Sequence, residues 1–222
     1  MRFARPEPPE LPLSPKPSPA RLLLVRHGQS TWNREHRIQG QLDPPLSTDG
    51  RRQAERLGRR LASCSFVAAY SSDLKRAMET ARLIGEATDM SPVPTAGLRE
   101  VYLGRWEGLN IAEIEQRFPE AWMLWTKEPR WDVVPGGEGE KAFETRVNAE
   151  LDSILARHEH GDVLIVTHGG VIQVALHRVI GRANHGLFPF RIDNASISTI
   201  EKRNGRFVVS GVNDTGHLEG PE

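Results

Sequence analysis

The stretch Leu22-Leu23-Leu24-Val25-Arg26-His27-Gly28 joins an apolar run directly to a polar turn that contains glycine. A short apolar run that ends in this way is typical of a buried parallel strand with chemistry at its carboxyl end. A histidine there can attack a phosphoryl group, and the adjacent arginine can bind phosphate oxygens through two parallel hydrogen bonds. Gly28 lets the backbone approach closely because it has no Cβ. The stretch therefore predicts a strand that presents Arg26 and His27 to a phosphate.

Predicted strands and helices alternate along the rest of the chain. Strands separated by helices predict an α/β fold, a three-layer sandwich with a mainly parallel central sheet and helices on both faces. Residues 21–222 are expected to form this domain, with residues 105–135 as a small helical cap. The predicted strands cover residues 21–26, 66–70, around Val93, 162–167, 196–202 and 206–212, the last two joined at Asn204-Gly205. One helix is predicted to open at Ser47, a good N-cap residue. Three further helices are predicted over residues 73–86 (capped by Asp73 or Ser72), 138–160 and 169–180.

Size and charge limit the possible functions. The chain has 222 residues, and its 29 basic and 29 acidic residues give a formal charge of zero. This balance gives no global electrostatic reason to expect a nucleic acid or an anionic membrane as partner. No apolar stretch approaches the ~20 residues that a membrane span needs. The one cysteine, Cys64, excludes an internal disulfide and is interpreted as a packing residue.

The first twenty residues, 1–20, contain seven of the 16 prolines and no continuous apolar core. They do not have the pattern of a signal peptide. Because proline lacks a backbone donor and interrupts helices, we predict an extended or disordered tail here. We expect a cytoplasmic protein, either a monomer or a homodimer.

Polar side chains follow three of the predicted strands. Arg26 and His27 follow the first, Arg76 lies about one turn into the helix after the second, and His168 follows the strand at residues 162–167. Because ligands bind beyond the carboxyl ends of parallel strands, we expect these side chains to meet. Neutral His27 can act as a nucleophile, while Arg26, Arg76 and His168 can bind phosphate oxygens.

Five motifs in order resemble those of the histidine phosphatase superfamily, which includes the cofactor-dependent phosphoglycerate mutases. The resemblance extends from about Leu22 to Asn213. The first motif is Arg26-His27-Gly28-Gln29-Ser30-Thr31-Trp32-Asn33, continued by Arg37-Ile38-Gln39-Gly40, Asp43-Pro44-Pro45-Leu46-Ser47 and Gly50. The others are Ser71-Ser72-Asp73-Leu74-Lys75-Arg76-Ala77-Met78-Glu79-Thr80-Ala81, Leu98-Arg99-Glu100 with Gly104-Arg105-Trp106-Glu107-Gly108, Pro135-Gly136-Gly137-Glu138, and Thr167-His168-Gly169-Gly170.

The resemblance implies a role for each candidate residue. His27 would form a phosphohistidine, and Glu100 would protonate the leaving oxygen and then activate water. Arg26, Arg76 and His168 would bind the phosphoryl oxygens. No metal and no cofactor are implied. The remaining residues expected around the phosphate are Asn33, Gln39, Gly40 and Gly169.

Two other carboxylates and one histidine pair are interpreted as structural. Glu107 is expected to hold its loop, and Glu138 is expected at the start of the long helix, where the helix dipole favours a carboxylate. His158 and His160 close that helix, so they are interpreted as a solvated helix end rather than a metal site.

The same resemblance leaves two enzyme activities open. Mutases of the family usually have Arg-His-Gly-Glu and Leu-Asn-Glu-Arg, whereas this chain has Arg26-His27-Gly28-Gln29 and Leu98-Arg99-Glu100-Val101. Residues 110–134 carry few cations and several aromatic side chains, which form either a wall for the substrate or a buried helical pair. These features favour a metal-independent phosphomonoester hydrolase that acts through a phosphohistidine on small phosphorylated metabolites. The alternative is a cofactor-dependent phosphoglycerate mutase. A third, less favoured hypothesis is a non-catalytic binder of phosphorylated ligands.

Overall fold

The computed structural model describes residues 18–181 and 189–219. The predicted proline-rich tail lies outside the described residues, apart from residues 18–20. The strands are β1 (Arg21–Arg26), β2 (Phe66–Ser72), β3 (Val93–Thr95), β4 (Asp162–Thr167), β5 (Ile197–Arg203) and β6 (Arg206–Asp214). The helices are α1 (Thr31–Arg34), α2 (Thr48–Leu61), α3 (Lys75–Thr88), α4 (Ile111–Arg117), α5 (Pro119–Lys127), α6 (Glu140–Arg157) and α7 (Gly169–Ile180).

The strands form one sheet in the order β3-β2-β4-β1-β5-β6. The first four strands along the chain run parallel, whereas β5 lies antiparallel to β1, and β6 antiparallel to β5. The turn between β5 and β6 has positive φ at both Asn204 and Gly205, as the predicted hairpin requires. The predicted α/β fold with a mainly parallel sheet is therefore confirmed.

Successive residues of β1 belong to two separate cores. Leu22 and Leu24 pack in a cluster with residues of α6 and α7, while Leu23 and Val25 pack in a cluster with residues of α2 and α3. A strand covered by helices on both faces must be apolar at every position, which accounts for the continuous apolar run. Cys64 is partly buried against the second cluster, in agreement with the packing role predicted for it.

Two predicted helix starts are wrong. The helix predicted from Asp73 begins at Lys75, and neither Asp73 nor Ser72 is its cap. The carboxylate of Asp73 instead pairs with Arg99 at 2.6 Å, and the first helical N–H group, that of Lys75, donates to Asp43 from a distant loop at 2.8 Å. A tertiary partner thus replaces the local cap that the sequence pattern favours.

The long helix, α6, begins at Glu140, two residues after the predicted start. Glu138 lies before the helix, where its carboxylate pairs with Arg146 and accepts a hydrogen bond from the Tyr102 backbone N–H. The predicted helix-dipole position of Glu138 is therefore wrong, because a salt bridge and a loop contact hold its carboxylate elsewhere.

The segment 105–135 contains the helices α4 and α5 and four tryptophans in edge or tilted contact. The ring centroid of Trp106 lies 6.3 Å from that of Trp122 and 5.6 Å from that of Trp125, and Trp125 lies 4.8 Å from Trp131. Trp106 and Trp131 are buried. The interpretation as a buried helical pair agrees with these contacts, while a separate cap stays a prediction. No described helix is both long and apolar enough to cross a membrane.

Candidate active site

A cavity of about 370 Å³ opens at the carboxyl ends of β1 and β4 and is lined by most of the predicted site residues. One predicted residue, His168, does not line it. This side chain is fully buried, and its ring centroid lies 5.1 Å from that of His27. The predicted residues that line the cavity are Arg26, His27, Asn33, Gln39, Gly40, Arg76, Glu100 and Gly169.

The ring of His27 is held in one tautomer. Its Nδ1 lies 2.7 Å from the carbonyl oxygen of Gly28, which can only accept, so Nδ1 carries the proton and Nε2 keeps its lone pair. Arg76 donates its Nε–H to Nε2 at 3.3 Å. Burial lowers the pKa of His27 well below its usual value, and the nearby charges of Arg76 and Arg26 lower it further. The imidazole is therefore neutral and available as a nucleophile at neutral pH.

Close backbone contacts fix the turn that follows His27. The N–H of Gly28 donates to Thr80 Oγ1 at 3.0 Å, and a Cβ added to Gly28 would lie 2.4 Å from the carbonyl oxygen of Gly50. Asn194 donates from Nδ2 to the carbonyl oxygen of His27 at 3.1 Å. His27 is thus positioned by α2, α3 and the segment before β5.

Arg76 is 1% exposed and is anchored by a loop. Its Nη1 donates to the carbonyl oxygen of Leu42 at 2.8 Å, and its Nη2 donates to that of Gly40 at 2.7 Å. Burial lowers the pKa of Arg76 to about 10, partly opposed by Glu100 and Asp43, so the guanidinium stays charged at neutral pH. A buried cation fixed against carbonyl groups is a strong binding group for an anion.

Arg26 places a second guanidinium on the same cavity. Its Nη1 donates to the carbonyl oxygen of Ile192 at 2.6 Å, while its buried Nε has no hydrogen-bond partner among the described residues. Burial lowers the pKa of Arg26, and Glu100 and Asp193 oppose that shift. Two buried guanidinium groups beside a neutral imidazole make this wall of the cavity suited to a dianion.

His168 lies beneath this wall at the start of α7. Its Nε2 is 2.8 Å from Ser72 Oγ at the end of β2. Burial lowers the pKa of His168 well below its usual value, helped by Arg76, His27 and Arg26. The ring is therefore neutral, and its Nε2 shares a hydrogen bond with a hydroxyl group.

Glu100 brings a carboxyl group to the same cavity. One oxygen accepts the Val101 N–H at 2.9 Å, and the other accepts the Gly170 N–H, in the first turn of α7, at 3.1 Å. A Cβ added to Gly170 would lie 2.3 Å from Glu100 Oε1. Glycine is therefore required at position 170 for the carboxylate to reach the start of the helix.

The comparisons with known proteins agree with this arrangement. The model of the histidine phosphatase superfamily (branch 1) matches residues 22–215. The chain belongs to the histidine phosphatase superfamily. The predicted membership is thus confirmed.

Three relatives of this superfamily illustrate the range of similarity. Phosphoserine phosphatase 1 of Hydrogenobacter thermophilus is 34% identical over 89% of this chain and 94% of its own length. The probable phosphoglycerate mutase GpmB of Proteus mirabilis is 34% identical over 88% of this chain and 93% of its own. The solved structure of YhfR from Bacillus stearothermophilus is 36% identical, covers 90% of this chain and all of its own, and superposes with a TM-score of 0.83.

A second part of the cavity of this histidine phosphatase is lined by apolar side chains, in contrast to the charged part. We call it the apolar wall, and we call the surface formed by Arg26, His27 and Arg76 the polar wall. Arg37 also lines the cavity, but its charge is paired with Glu113 at 2.9 Å and with Glu35 at 3.4 Å. The apolar wall consists of Ile38, Val101, Leu103, Trp131, Phe190 and Ile192.

Other residues that build the site were not assigned to it from the sequence. Asn194 holds His27, Asp43 caps the helix that carries Arg76, and Arg146 contacts the loop of Glu100. Asp43 belongs to the first family motif but was given no role there, and Asn194 and Arg146 belong to none of the five motifs. Glu107 was expected to hold its loop, and its Oε1 accepts the N–H groups of Gln41 and Leu103, as such a role requires.

No group of three or more potential metal ligands is found within the described residues. The pair His158 and His160, interpreted as a helix end, follows α6 directly, and the Nε2 of His158 is hydrogen-bonded to the hydroxyl of Tyr70 at 2.9 Å.

Proposed function

We propose that this protein hydrolyses phosphomonoesters of small metabolites without a metal ion, through a phosphohistidine at His27. The phosphatase class predicted from the sequence is confirmed by the similarity to the phosphoserine phosphatase of Hydrogenobacter thermophilus. The observation that carries the mechanism is the fixed tautomer of His27. Its Nε2 lone pair lies in the cavity that the buried guanidinium groups of Arg26 and Arg76 also line.

The first step transfers the phosphoryl group to the enzyme. His27 Nε2 attacks phosphorus, a nitrogen–phosphorus bond forms, and the bond from phosphorus to the ester oxygen breaks. Arg26 and Arg76 offset the charge on the phosphoryl oxygens. His168 does not line the cavity, and its ring packs against that of His27, so it supports the nucleophile from beneath. Glu100, in its acid form, gives its proton to the departing alcohol.

The second step releases phosphate. The Glu100 carboxylate left by the first step removes a proton from water, and the water oxygen attacks the phosphorus of the phosphohistidine. The nitrogen–phosphorus bond breaks, and inorganic phosphate leaves with neutral His27 restored. One carboxyl group thus serves both steps and needs no metal-bound water.

A mutase is the second candidate, because the chain is also similar to probable phosphoglycerate mutases. A mutase must bind the carboxylate or second phosphate of a phosphoglycerate beside the transferred group. The apolar wall and the pairing of Arg37 with two carboxylates favour a less charged leaving group. We therefore propose hydrolysis as the main activity.

The decisive experiment measures hydrolysis of p-nitrophenyl phosphate in the presence of a chelator. The unmodified protein should be active, and His27→Ala should lose activity by at least about 10³-fold. Protein quenched during turnover with alkaline detergent should carry a base-stable, acid-labile phosphate only when His27 is present. A fully active His27→Ala variant would rule out the proposed nucleophile, and formation of 2-phosphoglycerate from 3-phosphoglycerate would establish the mutase.

The cytoplasmic location, the single domain over residues 21–222, the cap over residues 105–135 and a monomeric or homodimeric state also remain proposals. Size-exclusion chromatography with light scattering distinguishes the two oligomeric states.

A further inference from the structure

The loop that carries Glu100 has little backbone pairing of its own. It begins in the short 3-10 turn Ala96–Leu98 and continues outside the sheet and the α-helices, so its carbonyl groups need other partners. Each of the four successive carbonyl oxygens of residues 97–100 accepts a hydrogen bond from a side chain. Thr167 Oγ1, at the end of β4, binds one of them at 2.8 Å.

Arg146 of α6 binds the other three. Its Nη1 donates to the carbonyl oxygen of Gly97 at 3.1 Å and to that of Arg99 at 2.9 Å, and its Nη2 donates to that of Glu100 at 3.2 Å. Arg146 does not line the cavity. It is therefore placed to act on a substrate only through the Glu100 loop.

Glu138 holds Arg146 in this position. Its Oε1 lies 2.7 Å from Arg146 Nη2, and its Oε2 lies 3.3 Å from Nε, so the carboxylate faces the guanidinium with both oxygens. The same Oε1 accepts the N–H of Tyr102 at 2.7 Å, on the far side of Glu100. Both side chains are largely buried, with exposures of 25% and 16%. The pair thus fixes the backbone before and after Glu100.

We propose that Arg146, together with Glu138, is a positioning residue that sets the distance from the Glu100 carboxyl to the leaving oxygen. This inference rests on the proposed role of Glu100 as general acid. Proton transfer requires hydrogen-bond contact between the acid and the departing oxygen, so a shift of the loop lowers the rate although no catalytic side chain is lost. The carboxylate follows the loop because Val101 N–H, in the same loop, binds it.

A positioning role for the acid predicts a selective effect on substrates. Phenyl phosphate needs its leaving group protonated, whereas the nitrophenolate of p-nitrophenyl phosphate, which has nearly the same shape, leaves without help. We expect Arg146→Met to lower kcat/KM for phenyl phosphate by about 10²-fold, and for p-nitrophenyl phosphate by less than about fivefold. The ratio kcat/KM is the correct measure because it excludes the later attack by water.

The matched control is Arg178→Met. Arg178 also contacts α6, where it donates to the Asn148 carbonyl oxygen and pairs with Asp152, and its side chain is 34% exposed. This variant removes the same charge and a contact to the same helix without touching the Glu100 loop. Both esters should be hydrolysed within about twofold of the unmodified rate.

Milder variants keep the test decisive if Arg146→Met fails to fold. Arg146→Lys keeps the charge but loses the planar fork, and Glu138→Gln keeps an acceptor for the Tyr102 N–H but loses the ion pair. Both should shift the ratio of the two esters in the same direction by a smaller factor. Equal losses on both esters, or no loss, in a folded variant would overturn the positioning role. An unmodified protein that is inactive on both esters would instead overturn the proposed function.

Discussion

The polar and apolar walls of the cavity are held in different ways. On the polar wall, the two arginines and His27 are each fixed by hydrogen bonds to backbone carbonyl groups. The apolar wall is formed by hydrocarbon and aromatic side chains such as Ile38, Leu103 and Trp131, which offer a ligand shape and contact area. A charged transition state requires preorganised dipoles, whereas an alcohol requires only space and contact area. We therefore propose that the polar wall determines the reaction and that the apolar wall determines which ester reacts.

The largest effect among the tests of this comparison is expected at Gly170, where Glu100 reaches the start of α7. In Gly170→Ala, the new Cβ would lie 2.3 Å from Glu100 Oε1 and 3.3 Å from the ring of Phe143. The flexible end of the carboxylate can move away, so the fold should persist while the acid is displaced. We expect kcat/KM for phenyl phosphate to fall by about 10²-fold with a small change in thermal stability.

Gly211→Ala is the control for this substitution. A Cβ there would lie 3.9 Å from Thr199 Oγ1, an ordinary contact on β6, so activity and stability should change little. Activity of Gly170→Ala equal to that of the control would mean that Glu100 need not be held by α7.

The polar wall was largely predictable because its residues lie at or shortly after the ends of strands that the apolar runs identify. Arg26 ends β1, His27 follows it, and Arg76 lies in the helix after β2, so the parallel-sheet rule places them together before any contact is known. Glu100 could be assigned only through the family motif, because its loop is irregular. Sequence spacing cannot show that His168 lies beneath the wall and contacts Ser72, since this depends on side-chain packing.

The supporting residues could not be predicted, because their contacts join segments that are distant in sequence. Asp43 caps α3 from a loop 32 residues earlier, and Arg146 reaches the Glu100 loop across 46 residues. Local capping preference therefore gave the wrong start for α3, where Asp73 is used for pairing with Arg99 instead. Such contacts leave no periodic pattern in the sequence.

The pH dependence of stability tests the burial of His27, on the polar wall, and of His168, beneath it. The pKa values of His27 and His168 are both lowered in the folded protein from 6.5, chiefly by burial. The unfolded chain therefore binds protons more readily, so their contribution to stability is complete above pH 6.5 and is lost as pH falls below it. Urea unfolding should show a decrease of about 1 kcal/mol for each histidine between about pH 6.5 and 5.5.

His168→Asn separates this contribution from that of other groups. The variant should lose part of the dependence, while His217, whose pKa is also lowered by burial, keeps its own share. The carboxylates Asp73 and Asp193 have lowered pKa values and act at lower pH, so they leave this window unaffected. A stability that is flat from neutral pH down to pH 5.5 would contradict a neutral, desolvated pair of histidines.

The smallest effect is expected on the apolar wall, where Ile38 can be shortened without disturbing a charged group. Ile38 is partly buried, and its backbone is held independently by hydrogen bonds with Leu109 and Gly108 at 2.8 Å. In Ile38→Ala the enlarged cavity should raise kcat/KM for 1-naphthyl phosphate relative to phenyl phosphate by about threefold to tenfold, with kcat for either ester changed by less than about twofold. Because both esters form the same phosphohistidine, a large fall in kcat for both would show that this wall takes part in the reaction itself, and the division between the two walls would fail.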